Sequence, residues 1–86
     1  MDFCNHMSGL QFTFRNQAGE IVENCNLICK KGKRTILTFK NFAGRLSTIF
    51  WSGEYTFKFK HRNYKSFTVR MMVGHRQSYT FCLQLK

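Results

Sequence analysis

The sequence predicts a small all-β fold, an antiparallel β-sandwich of about seven strands with little or no helix. Three observations lead to this prediction. Several segments alternate apolar and polar residues with a period of two, which is typical of strands with one buried face and one solvent-exposed face. Turn residues separate these segments at intervals of roughly 8–12 residues. Apolar residues three and four positions apart, the mark of an amphipathic helix, are scarce.

The clearest pattern is a hairpin over residues 51–70. Its first strand places aromatic side chains on one face and polar or basic side chains on the other: Tyr55, Phe57 and Phe59 against Thr56, Lys58 and Lys60. Residues 61–63 form the turn, in which Asn63 is the residue best suited to a left-handed conformation. The return strand then alternates again, with Phe67, Val69 and Met71 on one face.

The chain before this hairpin contains shorter patterns. A first strand has Leu10, Phe12 and Phe14 on one face and ends at a turn in which Gly19 is free to take a positive φ. Residues 21–29 form either one strand with a bulge near Asn24 or two short strands.

A basic turn around Gly32 leads into a strand over residues 35–42. The apolar face of this strand contains Leu37, Phe39 and Asn41, unless a bulge turns Phe42 inward. Residues 41–44 form the next turn.

Two further strands complete the prediction. Residues 46–51 are apolar and β-branched, and Ser52-Gly53 ends that strand. After a turn over 73–78, the final strand has one apolar face, formed by Tyr79, Phe81, Leu83 and Leu85.

A chain of 86 residues forms one domain, with residues 1–9 as a lead-in and 10–86 as the sandwich. Ten phenylalanines provide an aromatic core. No stretch approaches the roughly 18 apolar residues of a membrane span. The N-terminus lacks the pattern of a secretory signal, so we expect a cytoplasmic or other intracellular location, or an extracellular one if a signal was removed.

The charge is strongly basic, with 14 Lys and Arg against four Asp and Glu, a formal net charge of +10. Between Lys30 and Lys65 there are ten basic residues and one acid, Glu54. Such a field attracts nucleic acid, an anionic membrane surface or an acidic protein. The candidate binding residues form a loop cluster and a hairpin cluster: Lys30, Lys31, Lys33 and Arg34, then Lys40, Lys58, Lys60, His61, Arg62, Tyr64 and Lys65.

Each cluster has two interpretations. The loop cluster is either a solvated turn or a phosphate-contacting loop around Gly32. Lys40 belongs to the hairpin cluster if its strand lies beside the hairpin. Alternation places Phe57 and Phe59 opposite the lysines, so they are expected in the core. The aromatic residues left for base stacking are Trp51, His61 and Tyr64.

Catalytic and metal sites have little support. The carboxylates are few, and the histidines lie in the tail or in turns, so we expect a protein without enzymatic activity and without a cofactor. Cys4, His6, Cys25 and Cys29 have a spacing that matches zinc sites poorly, and positions 25 and 29 of a strand lie about 13 Å apart. Buried thiols are the better interpretation.

Four segments resemble the transthyretin-like β-sandwich modules, namely the carboxypeptidase regulatory-like and Cna-B-like domains: NQAGEIVENCNLI at 16–28, KNFAG at 40–44, SGEYTFKF at 52–59 and NYKSFTV at 63–69. The matching positions are turn and core residues, Gly19, Gly44, Gly53, Tyr55, Tyr64 and Lys65. The resemblance implies a transthyretin-like or Ig-like sandwich. It also implies an extracellular adhesion or scaffold role.

These observations predict a protein that works by binding. The first hypothesis is a protein-interaction module whose basic surface docks on an acidic partner. The second is a nucleic-acid binder that contacts phosphates, and the third is the adhesion or scaffold module that the resemblance implies. The first or last strand, as an exposed edge, would be able to pair with a partner or with a second copy to form a homodimer.

Overall fold

The computed structural model describes residues 7–86 and confirms the predicted all-β sandwich. Seven strands form two packed sheets, and this part of the chain contains no helix. The strands are β1 (Met7–Arg15), β2 (Cys25–Lys31), β3 (Arg34–Phe42), β4 (Arg45–Trp51), β5 (Gly53–Lys60), β6 (Phe67–Val73) and β7 (Gln77–Cys82). Since residues 7–86 form strands and connections only, they include no helix that could cross a membrane.

The smaller sheet has the strand order β4-β1-β7 and the larger one has the order β3-β2-β5-β6. All neighbouring strands are antiparallel except β1 and β7, which are parallel. Parallel neighbours need a long connection, and here the rest of the domain provides it. The prediction of an exposed first strand is therefore wrong, because β1 lies in the centre of its sheet. The last strand, β7, is an edge as predicted.

The core is a stack of aromatic rings between the two sheets. The alternating residues of β1 and β5 point inward as predicted, and Phe12, Phe14, Phe57 and Phe59 are fully buried. The ring centroids of Phe14 and Phe59 are 4.8 Å apart, and those of Phe12 and Phe57 are 5.0 Å apart. Each such pair adds roughly 0.5–1.5 kcal/mol beyond the burial of its apolar area.

A bulge in β3 decides which of its residues face the core. Phe39 lies opposite Leu27 and Phe42 lies opposite Cys25, so β3 contains one extra residue here. Asn41 takes up the irregularity with a φ of 53°. The bulge turns Phe42 inward, where its ring centroid lies 5.8 Å from that of Phe14. The predicted alternative with a bulge is the correct one.

The segment before β2 is less regular than a single strand over 21–29 would be. Ile21 forms an isolated bridge to Arg15, and the continuous strand begins only at Cys25. Asn24 lies between them with a φ of 60°. The break agrees with the predicted irregularity near Asn24.

The predictions for Asn63 and Leu85 are wrong. Asn63 is not among the residues with positive φ, because the β5–β6 connection spans residues 61–66 and needs no tight left-handed corner. Instead, Asn63 accepts a hydrogen bond from the backbone N–H of Lys86 at 3.2 Å. Leu85 is 63% exposed and does not face the core, because it lies beyond β7 in an isolated bridge to Tyr64.

The turn before β4 depends on Gly44. Its φ is 80°, and its carbonyl accepts a hydrogen bond from the backbone N–H of Phe14 at 2.8 Å. A Cβ atom at this position would lie 2.4 Å from the carbonyl oxygen of Val22. Both the backbone conformation and the lack of space therefore require glycine.

We expect Gly44→Ala to lower the free energy of unfolding by about 2–4 kcal/mol, because it combines a left-handed alanine with an overpacked contact. Gly19→Ala is the matched control. Gly19 has a φ of 83° but open space around the position of a Cβ atom, so Gly19→Ala should lower the free energy of unfolding by only about 1 kcal/mol. Urea denaturation followed by tryptophan fluorescence measures both. Equal losses would show that the space at Gly44 is not limiting.

Candidate binding surface

The larger sheet turns a basic face to solvent. Because Phe57 and Phe59 of β5 point into the core, Lys58 and Lys60 point outward. Lys58 lies opposite Ile28 of β2 and Thr68 of β6. The residues that we call the basic face are Lys30, Lys40, Lys58, Lys60 and Arg70.

The register places these side chains on four neighbouring strands. Lys30 lies opposite Thr56, which lies opposite Arg70, and Lys60 lies opposite Asn26. Neighbouring strands are about 4.8 Å apart and alternate residues of one strand about 6.6 Å apart, so the cationic groups are spread over the whole face. Lys40 is on this face as well. It is not beside the β5–β6 hairpin, because β2 lies between β3 and β5.

Among residues 7–86, one acid lies on this face. The Glu54 carboxylate is 3.9 Å from Nε of Arg70, and both side chains are well exposed. Exposed ion pairs of this kind contribute roughly 0–1 kcal/mol, so Glu54 offsets the charge of Arg70 but barely affects the fold. Arg70 was not among the predicted site residues. The alternation of Phe67, Val69 and Met71 toward the core would have identified it.

The predicted loop residues lie at opposite ends of the larger sheet. The β2–β3 turn holds Lys31, Lys33 and Arg34. The β5–β6 connection at the other end holds Arg62, Tyr64 and Lys65. The eight residues of β5 separate the two ends by about 23 Å. The two loops therefore do not converge on one pocket, and the basic face connects them.

Lys31 has a structural contact in addition to its charge. Its Nζ atom lies 5.1 Å from the centroid of the Tyr55 ring, a cation–π arrangement. The Tyr55 hydroxyl in turn donates a hydrogen bond to the carbonyl of Trp51 at 2.7 Å. Together these contacts hold the β2–β3 turn against the start of β5.

His61 is buried and both of its ring nitrogens have partners. The backbone N–H of Asn63 donates to Nδ1 at 3.0 Å, so Nδ1 is the unprotonated acceptor. Nε2 then carries the proton and donates to the carbonyl of Glu23 at 2.7 Å. The ring also stacks on Phe59, with an interplanar angle of 11°. His61 thus joins the end of β5 to the segment before β2 and has no nitrogen free for a ligand.

The other two aromatic candidates for base stacking are not on the basic face either. Tyr64 is half-buried, and its ring makes an edge contact with His61 at a centroid distance of 5.0 Å. Trp51 is exposed but belongs to β4, in the smaller sheet. The structure therefore separates the predicted stacking residues from the predicted cationic residues.

Most of the 14 basic residues belong to the larger sheet and its connections. The exceptions are Arg15, Arg45, Arg76 and Lys86. This distribution gives the sandwich one strongly basic side and one side with few charges.

The thiols of Cys25 and Cys29 belong to the core. Both side chains face inward from β2, and burial raises the pKa of each from 9.0 to about 11. Cys82 is exposed. Residues 7–86 contain no group of three or more His, Cys, Asp or Glu arranged to hold a metal ion. Cys4 and His6, considered above as zinc ligands, lie outside the described residues.

Comparison with known proteins adds no further constraint: no protein-family model matches the chain, and no curated protein matches it in sequence. The surface chemistry is therefore the basis for inferring a function. Its main features are the basic face and the exposed Trp51 on the opposite sheet.

We expect His61→Ala to lower the free energy of unfolding by about 2–3 kcal/mol, through the loss of two hydrogen bonds and of the ring contacts with Phe59 and Tyr64. His75→Ala is the control, because His75 is exposed in the β6–β7 turn and should change stability by less than about 0.5 kcal/mol. Denaturant unfolding curves measure the difference. If both variants were equally stable, the hydrogen bonds of His61 would not contribute to the fold.

We expect the free energy of unfolding to fall as pH rises from 9.0 to about 11. In this range the Cys25 and Cys29 thiols ionise in the unfolded chain but keep their protons in the folded one, so rising pH favours unfolding. Above pH 10.0, Tyr55 lowers the free energy of unfolding further, because burial also raises its pKa.

Urea denaturation at a series of pH values measures this slope. The double variant Cys25→Ala/Cys29→Ala is the control. Its free energy of unfolding should not fall between pH 9.0 and 10.0, but it should still fall above pH 10.0 because Tyr55 is present. An unchanged slope in the double variant would assign the pH dependence to other groups.

Proposed function

We propose that this protein is a non-enzymatic binding module whose basic face docks on an acidic surface of a partner protein. The observation that carries the proposal is the composition of this face. Cationic side chains from all four strands of the larger sheet cover it, and the aromatic rings of these strands point to the opposite side, into the core.

The shape of the face also favours a protein partner. A four-stranded sheet is broad and gently twisted, so it matches another extended surface better than the narrow groove of a duplex. Lysine ammonium groups spaced over several strands can meet carboxylates from more than one element of the partner. Such complementary charges increase the association rate and set the orientation of docking.

Single-stranded nucleic acid is a weaker fit. Proteins that bind single strands combine a basic groove with aromatic side chains on which bases stack. Here Tyr64 packs against His61, and Trp51 lies on the other sheet. Nucleic acid would therefore be limited to phosphate contacts, and the experiment below distinguishes this alternative.

At the level of fold, we propose that the chain is related to the transthyretin-like modules. The residues that carry the resemblance have structural roles: Gly44 fits where a side chain would not, and Tyr55 joins β5 to the end of β4. Such roles support a shared architecture. They do not bear on the adhesion role of that family.

The test is a titration of the full-length protein against a labelled polyglutamate peptide, single-stranded DNA and double-stranded DNA at several salt concentrations. The double variant Lys58→Glu/Lys60→Glu reverses the centre of the basic face. Arg76→Glu/Lys86→Glu makes the same change in net charge at two residues outside the strands of that face and is the matched control. We expect the first variant to weaken peptide binding by about tenfold more than the control, because specific ion pairs are replaced by repulsion.

Two results would contradict the proposal. Equal losses in both variants would mean that net charge alone attracts the peptide. Tighter binding to DNA than to the peptide at near-physiological salt, with a log–log salt slope of about −0.9 for each phosphate contacted, would instead favour the phosphate-binding alternative.

A further inference from the structure

The outer edge of β4 is an unprotected strand edge. In the described chain, β4 has a neighbour on one side only, β1, and pairs with it over seven consecutive residues without a bulge. Its other side therefore presents a row of backbone N–H and C=O groups that have no strand partner, although the Trp51 carbonyl accepts a hydrogen bond from the Tyr55 hydroxyl. From Leu46 to Trp51 the strand contains no charged residue, no proline and no glycine.

The other three edges are less suited to pairing. β3 contains two register shifts and Lys40, which twist and charge its edge. β6 carries Arg70 at the centre of its outer face. β7 is shorter, with six residues, and its outward side chains are polar: Ser78, Thr80 and Cys82. β4 is therefore the edge with the least protection against another strand.

Exposed apolar side chains lie beside this edge. On the outer face of the smaller sheet, Ile49 is 60% exposed and Trp51 is 53% exposed. Trp51 lies opposite Met7, which is 50% exposed, and Ile49 lies opposite Gly9, beside which the Arg76 side chain lies. Exposed aromatic and apolar residues grouped at an edge are typical of a protein interface.

The charge distribution points to a second copy as the occupant. Two copies with a formal net charge of +10 each repel one another, and close contact is easiest where charges are few. β4 has a single charge, Arg45, at its first residue, while the basic face lies on the other sheet. An acidic partner would instead be drawn to the basic face.

The sequence of β4 is complementary to itself when two copies pair antiparallel about Thr48. Arg45 then lies opposite Trp51 of the second copy, Ser47 opposite Ile49, and Leu46 opposite Phe50. Outward residues meet outward residues, and inward residues meet inward ones. The register pairs the full length of the strand and creates two symmetric Arg–Trp cation–π contacts while it keeps the two arginines apart.

We propose that the β4 edge is the interface of a homodimer with this register. Pairing would join the two smaller sheets into one continuous sheet with a twofold axis perpendicular to it. Such an axis leaves the larger sheets of both copies on the same side of the joined sheet, so the two basic faces point in the same direction. Dimer formation does not require the basic face, and it can be tested independently of the proposed function.

The experiment measures the mass of the full-length protein by sedimentation velocity over a wide concentration range, with reducing agent present. Trp51 is the single tryptophan of the chain, so its fluorescence reports on the interface directly. We expect a concentration-dependent dimer and a blue shift of the tryptophan emission as Trp51 becomes covered. A monomer at every concentration would overturn the proposal.

Ile49→Lys should raise the dissociation constant by about tenfold or more. The dimer contains the new charge twice, and each new lysine lies diagonally across from Arg45 of the other copy, where the two cations repel. Because Ile49 is exposed, the monomer should keep its fold, which circular dichroism checks. Ser47→Lys provides a second variant on the same face, in case the first one does not fold.

Met72→Lys is the matched control. Met72 is 65% exposed and lies on the outer face of β6, so the same charge is added at an edge of the other sheet. We expect this control to dimerise like the unmodified protein. If the Ile49 and Ser47 variants still dimerised, or if the Met72 variant lost the dimer equally, association would not run through β4 and the proposal would be wrong.

Discussion

The aromatic residues of β1 pack against those of β5 across the two sheets, and this contact fixes which way the side chains of both strands point. Phe12 and Phe14 from one sheet meet Phe57 and Phe59 from the other. Since side chains alternate along a strand, burying these rings commits Lys58 and Lys60 to the opposite face of the larger sheet. The core and the basic face are two consequences of one alternation.

The same alternation explains how much could be predicted from the sequence. Local period-two patterns predicted the inward residues of β1 and β5 and the outward direction of Lys58 and Lys60, but they placed the start of β1 at Leu10, whereas the strand begins at Met7. The bulge at Asn41 could be stated only as an alternative. Phe39 and Phe42 are three positions apart, so both face the core only if β3 contains an extra residue, and the pairing with β2 decides this. The central position of β1 was not predictable in this way, because long-range packing determines strand order and leaves no local pattern.

His61 and Trp51 show why the candidate site was predicted only in part. His61 follows a basic strand and looks like a surface residue in the sequence, but its partner carbonyl belongs to Glu23, which is far away in the chain. Trp51 is close in sequence to the lysines of β5, yet the chain changes sheets between β4 and β5. Both outcomes depend on tertiary contacts. The result is a sandwich with a basic side and an apolar edge that lie on different sheets.

Mapping the contact surface by NMR shows directly whether the acidic peptide binds to the basic face. In a ¹H–¹⁵N spectrum of the full-length protein titrated with the polyglutamate peptide, we expect the largest shift changes on the basic face, at Lys30, Lys58, Lys60 and their cross-strand neighbours Thr56 and Thr68. The β2–β3 turn should change less. Changes centred on Trp51 and the smaller sheet, or spread evenly over all exposed cationic residues, would contradict this expectation.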